Sequence, residues 1–152
     1  MMHSSDLPDF ARLGVNLASA GLGARGLYAS DEFFAPLERM LADGPAIFVA
    51  DKFDDNGKWM DGWETRRRRN GGFDQAVIRL AVPGEILGFD VDTSHFTGNY
   101  APAVRIEGCL CQDDPDETFT DWQEVLPPSE LGSSWTATWA TAGLPRPVPA
   151  GM

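Results

Sequence analysis

Apolar residues in this chain come in short runs broken by Gly, Pro and acidic residues, and few runs have helical spacing. Asp31 to Leu41 is the main exception. Phe33, Phe34, Leu37 and Leu41 recur at helical intervals there, and Pro36 restricts a helix to its early turns. Ile47-Phe48-Val49 reads as a short strand ending at Asp51. The polar, glycine-containing and aromatic stretch 51–72 reads as a long loop. Two runs rich in Val, Ile and Leu follow, Ala76 to Val82 and Ile86 to Asp92, and Pro83-Gly84-Glu85 between them predicts a hairpin. Ala103 to Cys111 alternates, with Val104, Ile106 and Gly108 against Arg105, Glu107 and Cys109. A turn at Asp113 to Asp116 and a strand at Thr120 to Leu126, carrying Trp122, come next.

Many short strands with Gly/Pro punctuation predict an all-β fold, an antiparallel β-sandwich of jelly-roll type. The expected divisions are a lead-in at 1–13, a sandwich domain at 14–131, and an irregular Pro-, Ala- and Gly-rich tail at 132–152. The sandwich's closing strands are not visible in that tail, so the C-terminal strands are expected to be incomplete.

Composition adds limits. Of 152 residues, 43% are hydrophobic, and 16 Gly with 11 Pro favour turns. A net charge of −11 gives no broad attraction for nucleic acid or anionic membranes, so neither is an expected partner. No run approaches the roughly 20 apolar residues of a membrane span. Asp6 and Asp9 interrupt any secretory signal. Cys109 and Cys111 stand too close along an extended chain for ordinary disulfide geometry, and two sulfurs alone do not make a zinc site. Reduced thiols imply a cytoplasmic protein.

Two segments carry the candidate chemistry. Asp51 to Arg69 gathers six cations (Lys52, Lys58, Arg66, Arg67, Arg68, Arg69) and five acids (Asp51, Asp54, Asp55, Asp61, Glu64) around Trp59 and Trp63. A locally cationic, aromatic surface on an acidic chain suits a small anion. The same residue types also suit a solvated basic run and simple packing of the two indoles. Asp54, Asn56 and Gly57 match three positions of a calcium-binding EF-hand loop, yet Lys52 and Trp63 would fill positions that need oxygen donors, which argues against that motif. Another divalent-metal site on Asp51, Asp54 and Asp55 stays open, as does an Asx-rich turn. In the second segment, Phe89 to Tyr100, a strand would place Asp90 and Asp92 on one face about 7 Å apart, close enough for one to keep its proton. Such a pair suits acid/base work, or the end of a strand. His95 and Asn99 follow in the loop.

The runs Asp51 to Arg67 and Asp90 to Tyr100 resemble two signature blocks of the allantoicase family. Tyr28-Ala29-Ser30-Asp31-Glu32-Phe33-Phe34-Ala35-Pro36 is similar to a third, and Leu17-Ala18-Ser19 also fits. The resemblance covers about residues 14–126, the family's first domain. It implies two tandem galactose-binding-domain-like jelly rolls and hydrolysis of allantoate to ureidoglycolate and urea. It also implies a second similar domain and a homo-oligomer in the full enzyme. The single domain and the unusual last 20 or so residues depart from that pattern, and a truncation or frame shift near Ser133 is the expectation they raise.

Allantoate has a carboxylate and two ureido groups on one carbon, and urea leaves by cleavage of the central C–N bond. That reaction needs an acid for the departing nitrogen, a base for water, and a cation for the carboxylate. Under the resemblance, Arg66 or Arg67 holds the carboxylate, and Asp90, Asp92, His95 or Glu64 handles protons. Asp54, Asp55 and Asn99 bind the ureido groups, and Trp59 and Trp63 wall the pocket. No cofactor is required, though a divalent metal can be accommodated. The competing expectations are a non-enzymatic small-ligand or carbohydrate-binding sandwich and an inactive fragment of the enzyme.

Overall fold

The computed structural model describes residues 8–134, 136–140 and 149–150. Among them are ten strands: β1 (Arg25–Ala29), β2 (Phe53–Asp54), β3 (Gly57–Lys58), β4 (Ala76–Arg79), β5 (Gly84–Glu85), β6 (Gly88–Asp92), β7 (Ala103–Gly108), β8 (Gln123–Glu130), β9 (Thr136–Ala140) and β10 (Pro149–Ala150). A five-residue helix, α1 (Asp9–Leu13), and two 3-10 turns, Ala20–Leu22 and Leu37–Leu41, complete the elements. The strands pair as β1–β4, β2–β3, β5–β10, β6–β9 and β7–β8, all antiparallel.

β7 carries the alternation its sequence predicts, with Val104, Ile106 and Gly108 turned inward and Ala103, Arg105 and Glu107 outward. Ile106 faces Leu126 on β8, and Val125 and Leu126 are buried there. Arg105 holds Glu107 on its own strand and reaches Glu124 on β8. β8 runs from Gln123 to Glu130, later than the expected strand at 120–126, and includes Pro127 and Pro128. Proline has no amide to donate, and the β7–β8 ladder shifts register between Val104 and Glu107. Cys109, just beyond β7, is buried with its Sγ 2.9 Å from that of Cys111, and the two are not disulfide-bonded. Burial first, and then Cys111, push the Cys109 thiol up to about 12.

Three expected elements differ. The helix over Asp31 to Leu41 is reduced to the 3-10 turn Leu37–Leu41. Pro36 is extended at φ −70° and ψ 150°, and Ala35 instead forms a β-bridge with Glu64. Ile47-Phe48-Val49 is not a strand. All three side chains are exposed, and the Ile47 amide donates to the Asp61 carboxylate at 2.8 Å rather than to a neighbouring strand. The runs at 76–82 and 86–92 do not form a hairpin with each other, because β4 pairs with β1 and β6 with β9. Long-range pairing overrides the local turn signal of Pro83-Gly84-Glu85.

Thr136–Ala140 lies in the stretch expected to be irregular, and its alternating Thr and Ala residues form β9 along the whole of β6. Most of the Pro-rich end, residues 141–148, falls outside the described residues. The loop 51–72 contains the β2–β3 ladder, turned by Asp55 and Asn56. Leu37 and Leu126 are the largest fully buried side chains.

Candidate active site

One cavity of about 460 Å³ is lined by both candidate segments: Lys58, Met60 and Glu64 from the first, and His95, Thr97 and Asn99 from the second. Phe34, Phe48 and Ser134 complete the lining.

Glu64 is fixed twice. Its amide and carbonyl bridge to Ala35, and its carboxylate accepts from Asn99 Nδ2 at 2.6 Å. The Asn99 contact joins the two segments directly. His95 has a left-handed backbone, φ 71°, which an L residue adopts at some cost. That turn is strapped down by its neighbours: the His95 amide donates to Ser134 Oγ at 3.0 Å, and Ser134, at φ 45°, returns its amide to the Phe96 carbonyl. Ser133 Oγ donates to the Thr97 carbonyl and Thr93 Oγ1 to that of Gly132. Residues 132–134 therefore hold the His95 loop. The imidazole stacks on Phe48, with centroids 5.7 Å apart, and its Nε2 lies 3.3 Å from the Ala46 carbonyl. With Nε2 as the donor of that bond, Nδ1 is an acceptor.

Of the eleven residues expected in the site, the structure gathers Glu64, His95 and Asn99 around this cavity. Asp54 and Asp55 line a neighbouring recess that shares Phe34, and Asp54 pairs with Arg39 at 3.2 Å. Trp59 and Trp63 stand outside the lining. The Trp59 ring has the Lys52 ammonium 4.2 Å and the Arg39 guanidinium 5.2 Å from its centroid. Trp63 Nε1 donates to the Asp31 carbonyl at 2.7 Å. Arg66 Nε pairs with the Asp31 carboxylate at 2.7 Å and its guanidinium covers Phe33, so its charge is committed within the fold. Arg67 is exposed and has no carboxylate partner among the described residues. Asp90 and Asp92 share the outer face of β6 and are not part of the lining. Asp92 accepts from the Ser94 amide at 2.7 Å, which caps the strand end. Partial burial, and then the Asp92 charge, push the Asp90 carboxyl above its ordinary range.

Phe34, Phe48, Met60, Thr97 and Ser134 were not singled out from sequence. Phe34 and Phe48 have the residue type of ordinary core or strand positions, and Ser134 sits where no pattern points to a site. Among the described residues, no group of three or more His, Cys, Asp or Glu side chains could hold a metal ion, so Asp51, Asp54 and Asp55 do not assemble into one.

Similarity to known proteins bears on the family and the fold. The family model described as allantoicase repeat matches residues 15–147. A probable allantoicase of Rhizobium meliloti (strain 1021) is 64% identical over 126 residues, covering 83% of this chain and 37% of that protein. One from Ralstonia nicotianae is 52% identical over 124 residues, covering 82% and 37%. Among solved structures, one of allantoicase superposes with a TM-score of 0.76 at 28% identity, covering 89% of this chain and 42% of the other. Allantoicase from Saccharomyces cerevisiae gives 0.74 at 29% identity, covering 88% and 40%. The chain thus spans a little over a third of the length of these curated relatives. Its fold is all-β, an antiparallel sandwich of the jelly-roll type. Sequence blocks, fold and family match agree, and the chain belongs to the allantoicase family.

Proposed function

We propose that this chain provides the substrate cavity of an enzyme that hydrolyses allantoate to ureidoglycolate and urea. The observation supporting this most directly is the Asn99–Glu64 hydrogen bond at 2.6 Å, which joins two sequence blocks 35 residues apart beside His95 in one cavity. Water displaces one ureido arm at the saturated central carbon: the C–O bond forms as the C–N bond breaks, and urea leaves with its nitrogen protonated. His95, acting through Nδ1, takes the proton from water. Glu64, oriented by Asn99, holds the N–H groups of the departing ureido arm. The departing nitrogen then takes the proton that His95 removed from water, because Asp90 and Asp92 stand on the outer face of β6, outside the cavity lining. Asp54 and Asp55, in the neighbouring recess, border the ureido side. Arg66, Trp59 and Trp63 brace the loop that carries Glu64, and Arg67 is the cation at its outer end.

Among the described residues, no helix is long and apolar enough to cross a membrane. We place the enzyme in the cytoplasm, with a second similar domain and a homo-oligomeric assembly in the full-length protein.

Urea release from allantoate by the purified chain, measured beside calorimetric binding, tests the reading. His95→Ala should lower turnover by roughly 10²- to 10⁴-fold while allantoate still binds, and Glu64→Gln should weaken both binding and turnover. Binding without any turnover in the unaltered chain would reduce the protein to a binding module. Neither binding nor turnover would reject the function for this chain.

A further inference from the structure

We infer that Lys58 is the residue that recognises the substrate's carboxylate, and that the cavity therefore selects anionic ureido compounds over neutral ones. This rests on the reading of the cavity as the allantoate site. The argument is one of charge placement. An anion entering the cavity needs a cation that faces it and is not already neutralised. Most cations among the described residues are committed: Arg12 to Asp9, Arg25 and Arg79 to Asp114, Arg39 to Asp54, Arg66 to Asp31, Arg68 to Asp74, and Arg105 to Glu107 and Glu124. Lys52, over Trp59, lies outside the cavity lining. Arg67 and Arg69 lie outside the cavity lining. Lys58 lines the cavity, and no carboxylate among the described residues pairs with it.

Its position is also built. Lys58 faces Phe53 on the β2–β3 ladder, and its Nζ lies 4.5 Å from the centroid of Phe48, on a ring that also stacks with His95. Phe48 thus contacts both the ammonium and the imidazole. The aromatic face holds the ammonium without neutralising it, so the charge stays available to a ligand. Glu64 lines the same cavity without pairing with Lys58, which leaves one acidic and one basic pole. A molecule with a carboxylate and neutral N–H donors on a single carbon matches that polarity, with the carboxylate on Lys58 and the ureido donors on Glu64.

Calorimetry on the whole chain with two probes tests this: allantoate, and methylenediurea, a neutral bis-urea without the carboxylate. Lys58→Met should weaken allantoate by about tenfold or more, Lys58→Arg should retain most of the affinity, and methylenediurea should bind the parent and Lys58→Met chains alike. Unchanged allantoate affinity in Lys58→Met, or an equal loss of both probes, overturns the assignment while the cavity reading stands. A charge-selective loss in Arg67→Met with none in Lys58→Met overturns it in favour of Arg67. If the parent chain binds neither probe, the cavity reading itself fails, and the role of Lys58 fails with it.

Discussion

Asp31 shows how a single residue can set a site it does not line. Its carboxylate accepts from the Phe33 amide at 2.8 Å and pairs with Arg66, and its carbonyl takes the Trp63 indole N–H. Two of these contacts, to Arg66 and Trp63, tie the block at 28–36 to the block carrying Glu64. Burial by itself would raise the Asp31 carboxyl, but the Phe33 amide and the Arg66 guanidinium outweigh it and hold it below its ordinary value. A depressed native pKa stabilises the fold above the unfolded-state value, near pH 4, and that contribution is lost as pH falls through the native value. Asp31→Asn should cost about 1–3 kcal/mol at neutral pH, and its stability should fall less steeply than the parent's below pH 4. Urea unfolding across pH 3–7 checks both. A parallel pH dependence in the two chains would mean that Asp31 is not the linked group. From sequence, Arg66 was a natural partner for a substrate anion. Residue types reveal charge but not which charge is already spent, and Asp31 lies 35 positions away.

At the scale of elements, strand identity was more legible than strand partnership. The alternation of Ala103 to Gly108 reflects a sheet with one covered face, and the sequence carries it openly. The hairpin expected around Pro83-Gly84-Glu85 failed because turn chemistry specifies a bend without specifying which strands meet. The register of β1 and β4 shows a further dependence on distant residues. Arg25 and Arg79 face each other across the ladder, and their repulsion is relieved by Asp114, which contacts both at 3.4 and 3.3 Å. The approach of β1 to the 3-10 turn is equally hard to read in advance. A Cβ on Gly26 would come within 2.7 Å of Leu37, whose side chain is fully buried, and the Gly26 amide donates to Glu38. Gly26→Ala should therefore cost about 1–3 kcal/mol through overpacking. Chemical denaturation should show a lower midpoint with an unchanged slope. A midpoint equal to the parent's would mean that the turn moves away freely.

The whole molecule divides its labour between ladders and loops. The longer ladders, β1–β4, β6–β9 and β7–β8, carry most of the long-range pairing, whereas the cavity is walled by a two-residue ladder, a left-handed turn at His95 and the strap at 132–134. The cavity's two main sequence blocks were legible because their composition is unusual. Its strap was not, because Gly132-Ser133-Ser134 looks like any linker. This division has a consequence for how the molecule fails under stress. Openings confined to loops require less free energy than breaking the cooperative core. Low concentrations of denaturant should abolish calorimetric binding of allantoate while far-ultraviolet circular dichroism still reports intact sheets. Coincident loss of the two signals would mean that cavity and scaffold melt as one unit. Inactivation ahead of melting would make catalytic competence the molecule's earliest casualty, so a sample that looks folded could already be spent.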